Sequence, residues 1–170
     1  LNNFYKDEKI DWERLNKIIR LALHFGDNVI SKQYYPLEKS QKATLETRKI
    51  GLGYMGFADL LIKMKIPYNS QGAVDNCEKL YENLALISWK ESLELAKKNG
   101  SYPMFDKKIM TNIFKKYKNK SKKLKIEWHN IIMDIDKYGL KNSQTTNQQP
   151  CGTVSLISNE ASSGIEPVFA

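Results

Sequence analysis

The chain has 170 residues and a formal net charge of +8, with 41% hydrophobic and 27% charged residues. That is the composition of an ordinary soluble domain with one sizeable core, and no apolar run approaches the roughly 20 residues of a membrane span. No secretory leader opens the chain, and its cysteines, Cys77 and Cys151, are too far apart to read as a metal or redox pair. Such sparse cysteine fits a reducing, cytoplasmic setting.

Most of the chain reads as helix. Asp11 is placed to cap a first helix carrying Trp12, Leu15, Ile18, Ile19, Leu23 and Phe25, with Ala22 filling one place in the stripe by a small side chain. Pro36 ends that unit. A second helix is expected to begin near Thr44 or Leu45 and run through Met64, stopping before Pro67. A third, from about Ser70 to Lys98, carries Val74, Cys77, Leu80, Tyr81, Leu84, Ile87, Leu93 and Leu95, and Gly100 is its stop.

Much of the positive charge is concentrated after that stop, where nine lysines fall between Lys107 and Lys125. The run holds no arginine for bidentate contacts and only two aromatics, Phe114 and Tyr117, so it reads as a solvated insertion. A basic helical module that binds nucleic acid is the alternative. A further helix covers Trp128 to Ile135, with Gly139 closing it, and only the stretch from Ser143 to Gln148 reads as a strand. The chain thus divides into a helical section over residues 8–140 and a strand-and-loop section over 142–170.

Gly51-x-Gly53-x-x-Gly56 spells the dinucleotide-binding fingerprint, but no hydrophobic strand precedes it. The glycines fall among Leu52, Met55, Phe57, Leu60 and Leu61, a helical apolar spacing that suggests close packing of a helix instead. His24 and His129 have no cysteine or histidine partners at metal-ligand spacing. No Gly-x-Ser-x-Gly turn presents a nucleophilic serine.

The richest stretch lies near the end. Asn142-Ser143-Gln144-Thr145-Thr146 leads into Pro150-Cys151-Gly152-Thr153-Val154-Ser155. A β-prone run breaks at a proline, passes a glycine and restarts as a short helix, whose first N–H groups and dipole are suited to an anion such as phosphate. Gly152 would allow close backbone approach, and the Thr153 and Ser155 hydroxyls could add donors. An ordinary strand-to-helix turn is the other reading of the same residues.

Those residues, with Ser162-Ser163-Gly164-Ile165-Glu166-Pro167-Val168-Phe169, resemble the adenosylcobalamin-dependent (class II) ribonucleotide reductases. The order of three further stretches agrees: Leu23-His24-Phe25-Gly26-Asp27-Asn28-Val29-Ile30, then Arg48-Lys49-Ile50-Gly51-Leu52-Gly53-Tyr54-Met55-Gly56-Phe57-Ala58-Asp59, then Ile66-Pro67-Tyr68-Asn69-Ser70. A fragment of a class I large subunit is the alternative within the same superfamily.

The resemblance implies an α/β fold: a largely helical section of a ten-stranded α/β barrel, with one or two barrel strands near the C-terminus. It implies that Pro150, Cys151, Gly152, Thr153 and Val154 form the substrate phosphate loop, mainly through the N–H groups of the non-proline members. Cys151 stands where the family has threonine, so a side-chain contact at that place is weakened. The radical cysteine and acid–base glutamate of the family lie in an Asn-x-Cys-x-Glu loop that this chain lacks, so no catalytic or metal residue is assigned. Glu166 reads as a charge-paired or capping residue. The chain is expected to be an internal section of a larger subunit, or one piece of a split one, inactive by itself. For the whole protein the resemblance implies adenosylcobalamin, a ribonucleoside di- or triphosphate substrate, a thioredoxin-like reductant, the remainder of the reductase chain and a homodimer.

Overall fold

The computed structural model describes residues 1–121, 124–158 and 161–168. Its longest element is the helix we number α4 (Gln71–Asn99), begun by the Ser70 hydroxyl accepting from the Ala73 N–H and ended at Gly100. One stretch of α4, with Ala73, Leu80, Leu84 and Ile87, packs into a core with Leu15 and Ile19 of α1 (Trp12–Lys32) and Phe57, Leu60 and Leu61 of α3 (Phe57–Lys63). The other, with Leu86, Trp89 and Leu93, packs against α5 (Lys107–Lys120) and α6 (Lys125–Tyr138). Two cores therefore share one helix.

The expected first helix forms with the expected cap, as the Asp11 carboxylate accepts from the Arg14 N–H at 3.0 Å. Leu15, Ile19, Leu23 and Ile30 face inward, while Ile18, Leu21, Phe25 and Val29 are exposed on another face. Before it, β1 (Tyr5–Lys6) and β2 (Lys9–Ile10) make a small antiparallel hairpin, turned by Asp7 and Glu8 at positive φ.

Three expectations are corrected. The helix expected from residue 44 or 45 to 64 is two helices, α2 (Glu38–Thr47) and α3, separated by an extended segment. Arg48 ends α2 in a left-handed conformation (φ 47°), and Gly56, at φ 72°, starts α3. Between them the Ile50 and Leu52 N–H groups donate to the carbonyls of Gln144 and Thr145 (2.9 and 3.0 Å), and the Asn147 N–H donates back to Leu52 at 2.9 Å. This pairing is parallel, with Leu52 opposite Thr146. A partner from far along the chain thus outcompetes the local helical spacing. The strand expected over Ser143 to Gln148 is this same pairing, reduced to an isolated bridge rather than a full strand.

The lysine run is not solvated on every side. Its part from Lys107 to Lys120 is α5, capped by the Asp106 carboxylate on the Ile109 N–H (2.9 Å), with Met110 and Phe114 buried, while residues 122 and 123 of the run lie outside the described residues. Phe114 lies 6.0 Å from Trp128 and 5.1 Å edge-on from Trp89, and Tyr117 stacks on Trp128 at 4.8 Å. The lysines cover the outer face of an amphipathic helix.

Candidate functional site

Residues 142–147 run beside the first extended segment and then leave it, and the chain restarts as α7 (Gly152–Ile157). Ser155 is the first residue to donate inside this short helix, to the Cys151 carbonyl at 2.8 Å. The N–H groups of Gly152, Thr153 and Val154 therefore have no intrahelical acceptor, and all three residues are exposed. Among the described residues, a Cβ placed on Gly152 would meet nothing within 4 Å.

The other proposed loop members are placed differently. Pro150 is exposed and has no N–H to offer. The Cys151 N–H is already spent on the Ser163 carbonyl at 3.0 Å, and its sulfur lies 3.7 Å from the Gln149 carbonyl. The Ser155 hydroxyl is turned back to the Gly152 carbonyl (2.7 Å) in a buried position, so it is not a donor to a ligand as its sequence position suggested.

The turn that receives Cys151 is firmly built. The Asp59 carboxylate accepts from the N–H groups of Ala161 (3.0 Å) and Ser162 (2.9 Å). The Ser162 and Gly164 carbonyls accept from the N–H groups of Gly56 (2.9 Å) and Phe57 (3.2 Å). Hence two of the N–H groups at the start of α3, where a dinucleotide fingerprint would seat its phosphates, are filled by protein. Tyr68 donates its hydroxyl to the Ile165 carbonyl at 2.7 Å. The Ser163 hydroxyl donates to Glu166 at 2.7 Å. Partial burial opposes ionisation of Glu166, but hydrogen bonds from the Ser163 hydroxyl and nearby backbone N–H groups outweigh it and hold its carboxyl below the usual range. Glu166 closes the turn, in line with its reading as a structural residue.

On the inner side, Tyr54 and Tyr81 meet edge to face at 5.4 Å. Burial pushes both phenols far above their ordinary pKa, so each is a permanent donor: Tyr54 to the Leu80 carbonyl (3.2 Å) and Tyr81 to the Gln148 side chain. Deeper still, Arg48, Asp27 and Asn142 form a buried polar knot beneath both extended segments, with the exposed Ser31 hydroxyl at its rim. Sequence reasoning missed Gln148, Asp59 and this knot, because the partners are 21 to 115 residues apart and no local spacing marks them.

Among the described residues no group of three or more His, Cys, Asp or Glu side chains could hold a metal ion, and His24 and His129 are exposed on α1 and α6. No described helix is long and apolar enough to cross a membrane.

The family model for the ribonucleotide reductase barrel domain matches residues 1–170. A vitamin B12-dependent ribonucleoside-diphosphate reductase of Thermoplasma acidophilum is 37% identical over 163 residues, covering 96% of this chain and 18% of the relative. One of Mycobacterium tuberculosis is 32% identical over 164 residues, covering 96% of this chain and 20% of the relative. A ribonucleoside-diphosphate reductase subunit alpha of Chlamydia pneumoniae is 32% identical over 178 residues, covering 96% of this chain and 17% of the relative. The chain spans about a fifth of the length of the curated relatives it matches.

Proposed function

Because this chain belongs to the ribonucleotide reductase family, through the barrel domain, we propose that Pro150, Cys151, Gly152, Thr153 and Val154 seat the phosphates of a ribonucleotide in the full-length enzyme. The observation that carries this is the run of N–H groups on Gly152, Thr153 and Val154 at the start of α7, which have no acceptor among the described residues and belong to exposed residues. Phosphate oxygens would accept from them with charge assistance, aided by the positive end of the short helix. Pro150 and Cys151 act by placement, since one has no N–H and the other donates to Ser163. The segments around Leu52 and Thr146 serve as neighbouring strands of a ten-stranded α/β barrel.

On this reading the whole protein makes deoxyribonucleotides from ribonucleoside diphosphates, the substrate in its relatives' names. The remainder of the reductase chain, a thioredoxin-like reductant and a second copy complete the system. Pro-x-Gly-Thr followed by Gly-Ile-Glu-Pro favours the B12-dependent class, as do the names of two of the relatives. Among the described residues no group of three or more His, Cys, Asp or Glu side chains is gathered, so no residue of this chain is assigned as a ligand of that cofactor.

The test is Gly152→Val in the full-length enzyme. Outside its chain neighbours and its own helix backbone, no described atom lies within 4 Å of a Cβ built at Gly152. The KM for a ribonucleoside diphosphate should rise by about tenfold or more, the equivalent of losing one or two charge-assisted hydrogen bonds. Unchanged nucleotide affinity would overturn the assignment.

A further inference from the structure

The last backbone rung between the two extended segments is the Asn147 N–H on the Leu52 carbonyl. At the next position the backbone turns away, its Gln148 N–H taken by the Asn147 side chain at 2.9 Å. The pairing nevertheless goes one step further, through a side chain. Gln148 Oε1 accepts from the Tyr54 N–H at 3.0 Å, and Gln148 Nε2 donates to the Tyr54 carbonyl at 3.0 Å. A side-chain amide thus stands where the next peptide of the strand would have been.

The same amide has two further partners. Oε1 also accepts from the Tyr81 hydroxyl, and Nε2 also donates to the Gln149 carbonyl at 3.2 Å. All of its strong hydrogen-bonding positions are then used, and its orientation is fixed: a flipped amide would set its oxygen against two carbonyls. Room for it is left by two glycines. A Cβ on Gly53 would lie 3.0 Å from Oε1, and one on Gly164 would lie 2.8 Å from Nε2. Among the described residues, the hydrogen bonds tying residues 148–150 to the body of the protein all pass through this side chain.

We propose that Gln148 is a positioning residue: by replacing the missing rung, it sets the angle at which the chain leaves the sheet and so aims the N–H groups of Gly152, Thr153 and Val154. The inference rests on the phosphate-loop reading above. Gln148 does not touch the ligand; it acts through Gln149 and Pro150 on the helix start. Its Tyr81 contact extends the same support into α4, since that phenol stays protonated across the physiological range.

The experiment uses the full-length reductase with CDP and, as a control lacking phosphates, cytidine. Gln148→Leu keeps similar volume but removes every polar contact, while Tyr81→Phe removes only one. With Gln148→Leu the Kd and KM for CDP should rise about tenfold with kcat changed less than about threefold, and cytidine binding should be unaltered. Tyr81→Phe should shift CDP in the same direction by about two- to threefold. CDP affinity within twofold of the parent in folded Gln148→Leu, or an equal loss for cytidine, would overturn the proposal. If Gln148→Leu does not fold, Tyr81→Phe decides: no loss of CDP affinity overturns it. Gly152→Val, measured alongside, separates the two ideas. If that variant binds CDP normally, the phosphate loop itself is wrong; if it is impaired while the Gln148 variant is not, only the role of Gln148 is.

Discussion

The Arg48 guanidinium lies 2.7 Å from Oδ1 of Asp27, and both side chains are less than a tenth exposed. Asn142 Nδ2 reaches the same oxygen from 3.0 Å and also donates to the Arg48 carbonyl at 3.1 Å. One carboxylate therefore joins α1, the residue that ends α2 and the residue that opens the second extended segment. Removing one partner of such a pair strands a buried charge. Asp27→Ala should cost about 3–5 kcal/mol, whereas Asp27→Ala with Arg48→Met should cost less than the sum of the two single changes. Urea unfolding of the four proteins measures both.

Gly53 is held by approach rather than by conformation. A Cβ there would sit 2.4 Å from the Asn147 carbonyl oxygen, a backbone atom that has no rotamer to escape by. Gly53→Ala should therefore push the two extended segments apart, costing about 1–3 kcal/mol and lowering protection of the Asn147 N–H in hydrogen exchange. Full protection in that variant would mean that the segments accommodate the methyl group without separating.

The helix under the lysines makes a contrast between faces. Phe114 is fully buried among Trp89, Tyr117 and Trp128, so Phe114→Ala should cost about 3–5 kcal/mol. Lys116→Gln on the exposed side should stay within about 0.5 kcal/mol. Equal effects at the two positions would contradict the buried face of α5.

Glu166 predicts a pH effect of definite sign. Its carboxyl is held below its ordinary value in the folded chain, so the stabilisation it brings is present above the ordinary carboxylate pKa. That stabilisation is lost as pH falls through the lowered value. Ser163→Ala removes the side-chain donor and should bring the Glu166 titration, followed by NMR, back towards the ordinary value. A midpoint that does not move would assign the shift to the backbone donors alone.

What could be read in the sequence was whatever local signals control. Asp11, Ser70 and Gly100 bound α1 and α4 because capping acts within a few residues, but of the expected stripes Trp12, Ile18, Phe25 and Val74 are exposed. The open start of α7 was legible for the same reason, from Pro150 and Gly152. The break at Arg48 to Gly56 was not, since an extended conformation there is selected by Gln144 to Asn147, far along the chain. The helix α5 was hidden differently: Asp106, Met110, Ile113, Phe114 and Tyr117 carry its cap and stripe, but the surrounding lysines drew attention to charge. The engagement of the Cys151 N–H by Ser163 and the inward turn of the Ser155 hydroxyl depend on tertiary placement, which spacing does not encode.

The rung between Tyr54 and Gln148 joins residues 94 positions apart, with α3, α4, α5 and α6 lying between them. Such a contact carries a large loop-closure entropy until the intervening helices have packed. At a synthesis rate of about 5–20 residues per second, a ribosome takes roughly 5–20 s to deliver the second partner after the first. During that interval the edge of the first segment, including Leu52 and Tyr54, has no neighbour to pair with and is open to wrong ones. The loop that we assign to the nucleotide therefore takes shape only after the four helices before it have been made.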